Sequence, residues 1–388
     1  MNAKERVNLV FQGQIPDRVP IGEFAIDFDT VEKIIGHETY LRAKAKSRIA
    51  FWEGRHADVA ESYRKDHIEF HEKLPIDIIN FPMATWKIPP ETDDPPPRRI
   101  DATTWEDKYG RIYKFSEITQ DIVCMADPTA AGNFYSIDGD PLATMTEVQA
   151  GVPPQPARDE RSWQILDAVI RHFRERKFIA GPSGGEIGMV LLGRMEQGMM
   201  AMVEQPELIA QAAAYLVQKQ NLADAVWVHP DADAISWGAD FGFKSGPFIS
   251  PRLFKRLFLA PNKARVDHIH GVYKKYVVKH CCGNIQALLD FFVEIGYDCY
   301  QSIQTSAGMD LAHVKQHYGD KLVLWGGVAL EHLVSGTMAE VREDVRHALE
   351  IGKRGGRFIL GSSHSIAVGT NYDNFMAMLD EYQQHCNY

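Results

Sequence analysis

Residues 275–284 read KYVVKHCCGN. A short apolar run, Tyr276–Val277–Val278, stops at His280, Cys282, Gly283 and Asn284. Successive side chains of an extended strand point to opposite faces, so residues two apart share a face. His280 and Cys282 therefore bring an imidazole nitrogen and a thiol sulfur to one side of one strand end. In a parallel α/β barrel that end is where chemistry collects, and nitrogen with sulfur is a zinc-binding combination. Two ligands do not hold a metal, so a third must come from elsewhere in the chain.

Eight short apolar or β-branched runs recur along the sequence: Val19–Phe24, Ile76–Phe81, Phe178–Gly181, Ala234–Trp237, Tyr276–Lys279, Cys299–Ile303, Leu322–Trp325 and Phe358–Leu360. Helix-like segments separate most of them. Ile285–Ile295, Leu311–Tyr318 and Met338–Ile351 carry apolar residues at spacings of three and four, and Thr337 with Glu340 has the spacing of a capping box. Strand and helix alternating eight times predicts an α/β fold, a (β/α)8 TIM barrel, with an open doubly wound sheet as the alternative. Residues 84–160 break the rhythm. Their proline clusters mark loops, and Arg111–Phe115 alternates like a hairpin strand beside Gly110. The stretch is expected to be an insertion between the second and third barrel strands of a single domain spanning 1–388.

Composition narrows the function classes. A net charge of −10 with no long basic run argues against nucleic acid or an anionic membrane as the main partner. No stretch of about 18 apolar residues is present, and the N-terminus lacks an apolar core and cleavage site, so neither a membrane span nor a signal peptide is expected. Five cysteines in so long a chain do not resemble a disulfide framework. A reducing cytoplasm is the expected setting.

The expected C-terminal strand ends bring together a defined set of side chains. Glu23 ends the first strand, with Asp27 and Asp29 close behind, and Asn80 ends the second. The third runs into GPSGGEIG (181–188), and the fourth into Trp237, Asp240 and Lys244. His280 and Cys282 end the fifth, Gln301 and Gln304 the sixth, and Gly326–Gly327 the seventh. The eighth runs into GSSHSI, with His364 just past the sheet. His280, Cys282 and His364 are the candidate metal ligands. Glu23 and Asp240 are the candidate catalytic carboxylates, since a carboxylate at a strand end needs a basic or metal partner.

Each residue also has a purely structural reading. His280 could be a satisfied core histidine, Cys282 a buried thiol, and His364 or Asp240 a loop-capping group. Cys281 and Cys299 are expected to pack in the core, and Cys124 and Cys386 to be incidental. The loop around Glu186 lacks the lysine of a phosphate-binding loop, so a tight turn with close backbone approach is expected. His37, His71, His268, His270, His313, His317, His332 and His347 fall in helix or loop patterns and are expected on solvated faces.

Several stretches, taken together, resemble the uroporphyrinogen decarboxylase superfamily. They are HCCGNI (280–285), QTSAGMDL (304–311), YGDKLVLWGGV (318–328) and GGRFILGSSHSI (355–366), with PDRVPIGEF (16–24), GPSG (181–184), LLGRMEQGM (191–199) and GADFGFKSGPFISP (238–251). The resemblance implies a (β/α)8 barrel and one of two chemistries: cofactor-free decarboxylation of uroporphyrinogen, or zinc-dependent methyl transfer to or from a cobalamin-bearing corrinoid protein. The decarboxylases resemble one another in an arginine-rich loop after the first strand and an aspartate after the second. Here those places read EFAIDFDTVEK (23–33) and NFPMAT (80–85). The methyltransferase branch carries His-x-Cys after the fifth strand, matched by His280 and Cys282, and a third ligand, commonly cysteine, after the eighth, where His364 stands. No DxHxxG corrinoid-binding pattern is present, so the cobalamin is expected on a partner protein. The resemblance thus implies a zinc-dependent methyltransferase acting on a thiol, methyl ether or amine. Uroporphyrinogen decarboxylation and a non-catalytic binding barrel remain the alternatives.

Overall fold

A computed structural model of the chain describes residues 1–128, 151, 154–192 and 195–388. Seven strands form one parallel sheet in chain order: β1 (Ile78–Asn80), β2 (Phe178–Gly181), β3 (Ala234–Trp237), β4 (Tyr276–His280), β5 (Cys299–Ser302), β6 (Val323–Val328) and β7 (Phe358–Ser362). Each pairs in parallel with the next, and helices connect most of them.

Alternation along these strands sorts the core into two clusters. Ile78, Phe178, Ala180, Ala234, Val278, Cys299, Val323, Trp325 and Ile359 pack on one another and on Val7, Val10 and Phe11 of helix Ala3–Phe11. Their neighbours in sequence, such as Ile79, Ile179, Ile235, Val277, Tyr300, Leu324 and Leu360, pack in the larger cluster with the helices. When side chains from all seven strands meet in one cluster, the sheet has curled around them. The parity carries to the strand ends: Asn80, His280 and Gln301 share the inner side with Ile78, Val278 and Cys299.

The expected first strand is not a regular strand. Val19–Phe24 makes isolated parallel bridges, Ile21 to Leu360, with Ile26 to Ile366 further on. It is nevertheless bonded on both flanks. Leu360 N–H donates to Pro20 O at 2.9 Å and Gly22 N–H to Leu360 O at 3.0 Å, while Asp77 N–H donates to Ile21 O at 2.8 Å. The segment thus joins β7 to the start of β1. Pro20 lacks an amide hydrogen, and Glu23 turns to cap the end of β7 instead of extending the ladder, which keeps the pairing short. The fully buried Trp325 donates from its indole nitrogen to Gly22 O at 3.0 Å. A Cβ on Gly361 would lie 2.3 Å from the same oxygen, so only glycine fits there.

Three strands, β4, β6 and β7, run past their expected ends. Gly326 and Gly327 do not stop β6, which continues to Val328. With φ of +149° at Gly326, a Cβ would lie 2.6 Å from Ser302 O, so glycine permits close strand approach there. The capping box of Thr337 and Glu340 is formed on helix Met338–Lys353. The expected helix 285–295 opens with a separate tight turn, Gln286–Leu288, before Leu289–Ile295.

Between β1 and β2 lies a four-stranded antiparallel sheet: Arg98–Arg99, Thr104–Glu106, Ile112–Ser116 and Asp121–Ala126. Trp105 and Ile122 pack against Ala45, Ile49 and Trp52 of helix Lys44–Trp52. Its second hairpin turns where Asp107 accepts the Tyr109 and Arg111 amides at 2.9 and 3.0 Å and Gly110 takes φ +76°. Residues 129–150 and 152–153 of the expected insertion lie outside the described residues. Among the described residues no helix is long and apolar enough to cross a membrane.

Candidate metal centre

His280 is the last residue of β4, and Cys282 follows in the turn. His364 lies two residues beyond the end of β7. One ligand atom from each of the three lies within 4.8 Å of the others. The turn after β4 is fixed by glycine chemistry: Gly283 has φ +84°, and a Cβ there would meet Gly242 O at 2.6 Å. Its amide donates to Gln304 Oε1 at 2.8 Å.

The neighbours fix the tautomer of His280. Nδ1 is hydrogen-bonded to Gln301 Oε1, and Gln301 Nε2 is 3.5 Å from Ser362 O, which it can reach only as a donor. An amide oxygen only accepts, so Nδ1 carries the proton and Nε2 keeps its lone pair. Burial pushes the His280 pKa down to about 4, which keeps the ring neutral. Phe24 stacks on the imidazole at a centroid distance of 4.2 Å, and His364 meets it edge-on at 5.6 Å. His364 Nδ1 is buried without a hydrogen-bond partner.

Asp240 borders this cluster. Its Oδ1 accepts the Cys282 amide at 2.9 Å and lies 3.9 Å from His280 Nε2. Burial first, and then the Asp240 carboxylate, push the Cys282 thiol up to about 12. A nearby cation is what would reverse that preference and favour thiolate. Two imidazole nitrogens, one of them on a ring whose buried Nδ1 has no partner, and a sulfur are a donor set that fits zinc, whose tetrahedral ligands stand roughly 3.3–3.8 Å apart.

Glu23 sits one step behind the cluster. The Ser362 amide donates to its two oxygens at 3.0 and 3.2 Å. The Ser362 hydroxyl is bonded to both Glu23 Oε2 and the His364 carbonyl oxygen. A hydroxyl has one proton and a carbonyl has none to give. Both contacts are attractive only if Glu23 is protonated and donates to Ser362 Oγ, which donates to His364 O. Burial pushes the Glu23 pKa up to about 8, in keeping with that pattern.

Other expectations on the site are corrected. Asp27 and Asp29 do not face the cluster. Asp27 pairs with Arg42 at 2.7 Å and accepts the Val368 amide, and Asp29 accepts the Gly369 amide, so both pin the loop after β7. Lys244 is exposed in a small hairpin. His71 is buried, as is His67, because the face of helix His56–Lys73 that carries Tyr63 and Phe70 packs inward. Cys281 and Cys299 are core residues as expected, and Cys386 is also buried in the core. The loop at Glu186 does make the expected close approach: a Cβ on Gly184 would lie 2.2 Å from Gln220 O.

The main feature that sequence reasoning passed over is Lys279. It faces the outer side of β4, fully buried, and donates to Glu186 Oε2 and to Ala239 O. Glu186 also accepts the Gly238 and Ala239 amides at 2.5 Å. This buried pair clamps the loop that carries Asp240. A lysine inside a strand with no exposed residue beside it was the available signal.

Residues 166–385, more than half the chain, match the uroporphyrinogen decarboxylase (URO-D) family, and the chain belongs to that family. No curated protein matches it closely enough to count as a relative. Among solved structures, a methyltransferase from Methanosarcina mazei superposes with a TM-score of 0.66 over 99% of both chains at 17% identity. At that identity the likeness is one of fold.

Proposed function

We propose that this protein is a zinc-dependent methyltransferase that moves a methyl group between a small substrate (a thiol, methyl ether or amine) and cobalamin carried by a separate corrinoid protein. The observation that carries the reading is the meeting of His280, Cys282 and His364 within 4.8 Å at the ends of two strands. The methyltransferase fold neighbour supports it. The reading takes Val19–Phe24 as the eighth stave of a (β/α)8 barrel and places the reaction in a reducing cytoplasm.

His280 Nε2, the Cys282 sulfur and a ring nitrogen of His364 would hold the metal. Bound there, zinc would stabilise a substrate thiolate or polarise a methylated oxygen or nitrogen, while cobalamin on the partner would give or take the methyl group. Gln301 holds the His280 tautomer. Asp240 holds the Cys282 backbone and stands where it can orient a substrate proton. Glu23 and Ser362 fix the carbonyl of His364 and so the loop that carries it. The insertion between β1 and β2 is the proposed docking surface or lid for the corrinoid protein.

The test is methyl transfer followed by the visible spectrum of cobalamin. The protein alone should not turn over methylated substrates. It should gain activity with a reduced corrinoid protein or with free cob(I)alamin at high concentration. Turnover without any cobalamin, or release of carbon dioxide from uroporphyrinogen at ordinary enzyme rates, would contradict the proposal.

A further inference from the structure

A cavity lies beside Phe24, whose ring also stacks on His280. It reaches from Glu23 and Asn80, at the strand ends, to His67 and His71 on helix His56–Lys73, with Arg42 at its margin. Three side chains on its wall carry buried polar atoms with no hydrogen-bond partner: Nδ1 of His67, Nδ1 of His71 and Oδ1 of Asn80. All three residues are more than nine-tenths buried, at 3%, 5% and 6% exposure. Buried polar atoms are almost always satisfied, so three orphans around one cavity mark a place built for a polar guest. The Asn80 amide nitrogen is already committed, donating to Phe24 O at 2.6 Å, which orients Oδ1 as the free acceptor.

The wall is electrically neutral. Burial pushes His67 down to about 3 and lowers His71 well below the ordinary histidine value, and Glu23 is held protonated. The two imidazoles stand 4.8 Å apart, centroid to centroid, where two positive charges would repel. Arg42, the cation at its margin, is neutralised by Asp27 at 2.7 Å. A charged guest would therefore enter without a counter-charge, at high desolvation cost. The cavity measures about 30 Å³, space for water or for a small polar group in its place.

We propose that this cavity is a binding subsite for a small uncharged molecule, or the uncharged head of one, that both donates and accepts hydrogen bonds, held by His67, His71 and Asn80. Its class is the neutral amide or alcohol. Phe24 both lines it and stacks on His280 of the metal cluster. It follows that these three residues select the polar end of the molecule the protein acts on, a role that rests on the functional reading above. The binding itself does not.

Acetamide and acetate form the probe pair, alike in shape and different in charge. Full-length protein labelled with ¹⁵N-histidine is titrated with each, and the imidazole signals of His67 and His71 are assigned with His67→Gln and His71→Gln. Acetamide should shift both signals saturably, and acetate should bind at least tenfold more weakly. Asn80→Leu should weaken acetamide binding about tenfold or more. Asn80→Ser, which keeps an oxygen there, should weaken it less and serves if the leucine variant does not fold. The result should be the same with metal-loaded and metal-stripped protein, which separates this inference from the metal reading. No saturable shift with acetamide, meaning ordered water only, would overturn the proposal. So would equal binding of acetate, or acetamide binding unaffected at Asn80.

Discussion

His280 and Gln301 face each other across adjacent strands, with the Nδ1 proton of the imidazole on Oε1 of the amide. That contact leaves Nε2 with a free lone pair on a residue at the inner side of the sheet. Partners that orient a metal-binding histidine typically matter 10–100-fold in metal affinity. Gln301→Leu should weaken zinc binding by about that factor while the protein stays folded, as measured by competition with a chromogenic chelator. Gln301→Glu, which keeps an acceptor at that place, should lose less.

Glu23 ties stability to alkaline pH. Its folded pKa, about 8, lies above the ordinary carboxyl value of 4.5. A group raised in this way contributes stability that is complete below pH 4.5 and is lost as pH rises through 8. Glu23→Gln keeps a donor for Ser362 Oγ and removes the proton equilibrium. Thermal melts from pH 5 to pH 8 should show the variant gaining on the wild type as pH rises. A constant difference across that range would mean that Glu23 is not buried as a neutral acid.

The acid limb belongs to His67. Its folded pKa falls to about 3 through burial, against 6.5 when free. The unfolded chain therefore binds a proton that the folded one refuses, and stability falls as pH drops below 6.5 toward 3. The loss from this residue alone should be about 3 kcal/mol at pH 4. His67→Gln should flatten the decline in urea-unfolding free energy between pH 6.5 and pH 4, and an unchanged slope would contradict the assignment.

Lys279 and Glu186 form an ion pair with the lysine fully buried and the loop of Asp240 bonded to both. Removing one partner of a buried pair typically costs about 3–5 kcal/mol, whereas replacing both costs far less. Lys279→Met should destabilise by about that amount, and Lys279→Met with Glu186→Gln should recover much of it. Chemical denaturation of the single and double variants makes the comparison.

The legible parts of this protein were those with local causes. Runs such as Phe178–Gly181 and Ala234–Trp237 are too short and too apolar for exposed helices, and they form strands at those bounds. His-x-Cys at the end of Tyr276–His280 followed from side-chain alternation alone. Val19–Phe24 was less legible, because Pro20 and the inward turn of Glu23 cut its pairing to isolated bridges. Asp27 and Asp29 could not be placed from sequence, since their partners, Arg42 and the amides of Val368 and Gly369, are distant in the chain or set by the loop after β7. His67 and His71 are buried by how one helix face packs on Phe81 and on Phe173 of helix Glu160–Phe173, which a helix pattern with few apolar residues does not reveal. Lys279 was visible as a charge inside a buried strand, but its partner in the glycine-rich loop was not.

Metal content tests the central claim most directly. Purified wild-type protein, dialysed against metal-free buffer and then offered zinc, should retain about one zinc per chain by elemental mass spectrometry. Cys282→Ala should lose most of that zinc while keeping its fold by circular dichroism. A folded wild type that takes up no zinc, or a Cys282→Ala variant that binds it as tightly as the wild type, would contradict the assignment of His280, Cys282 and His364 as the metal-binding set.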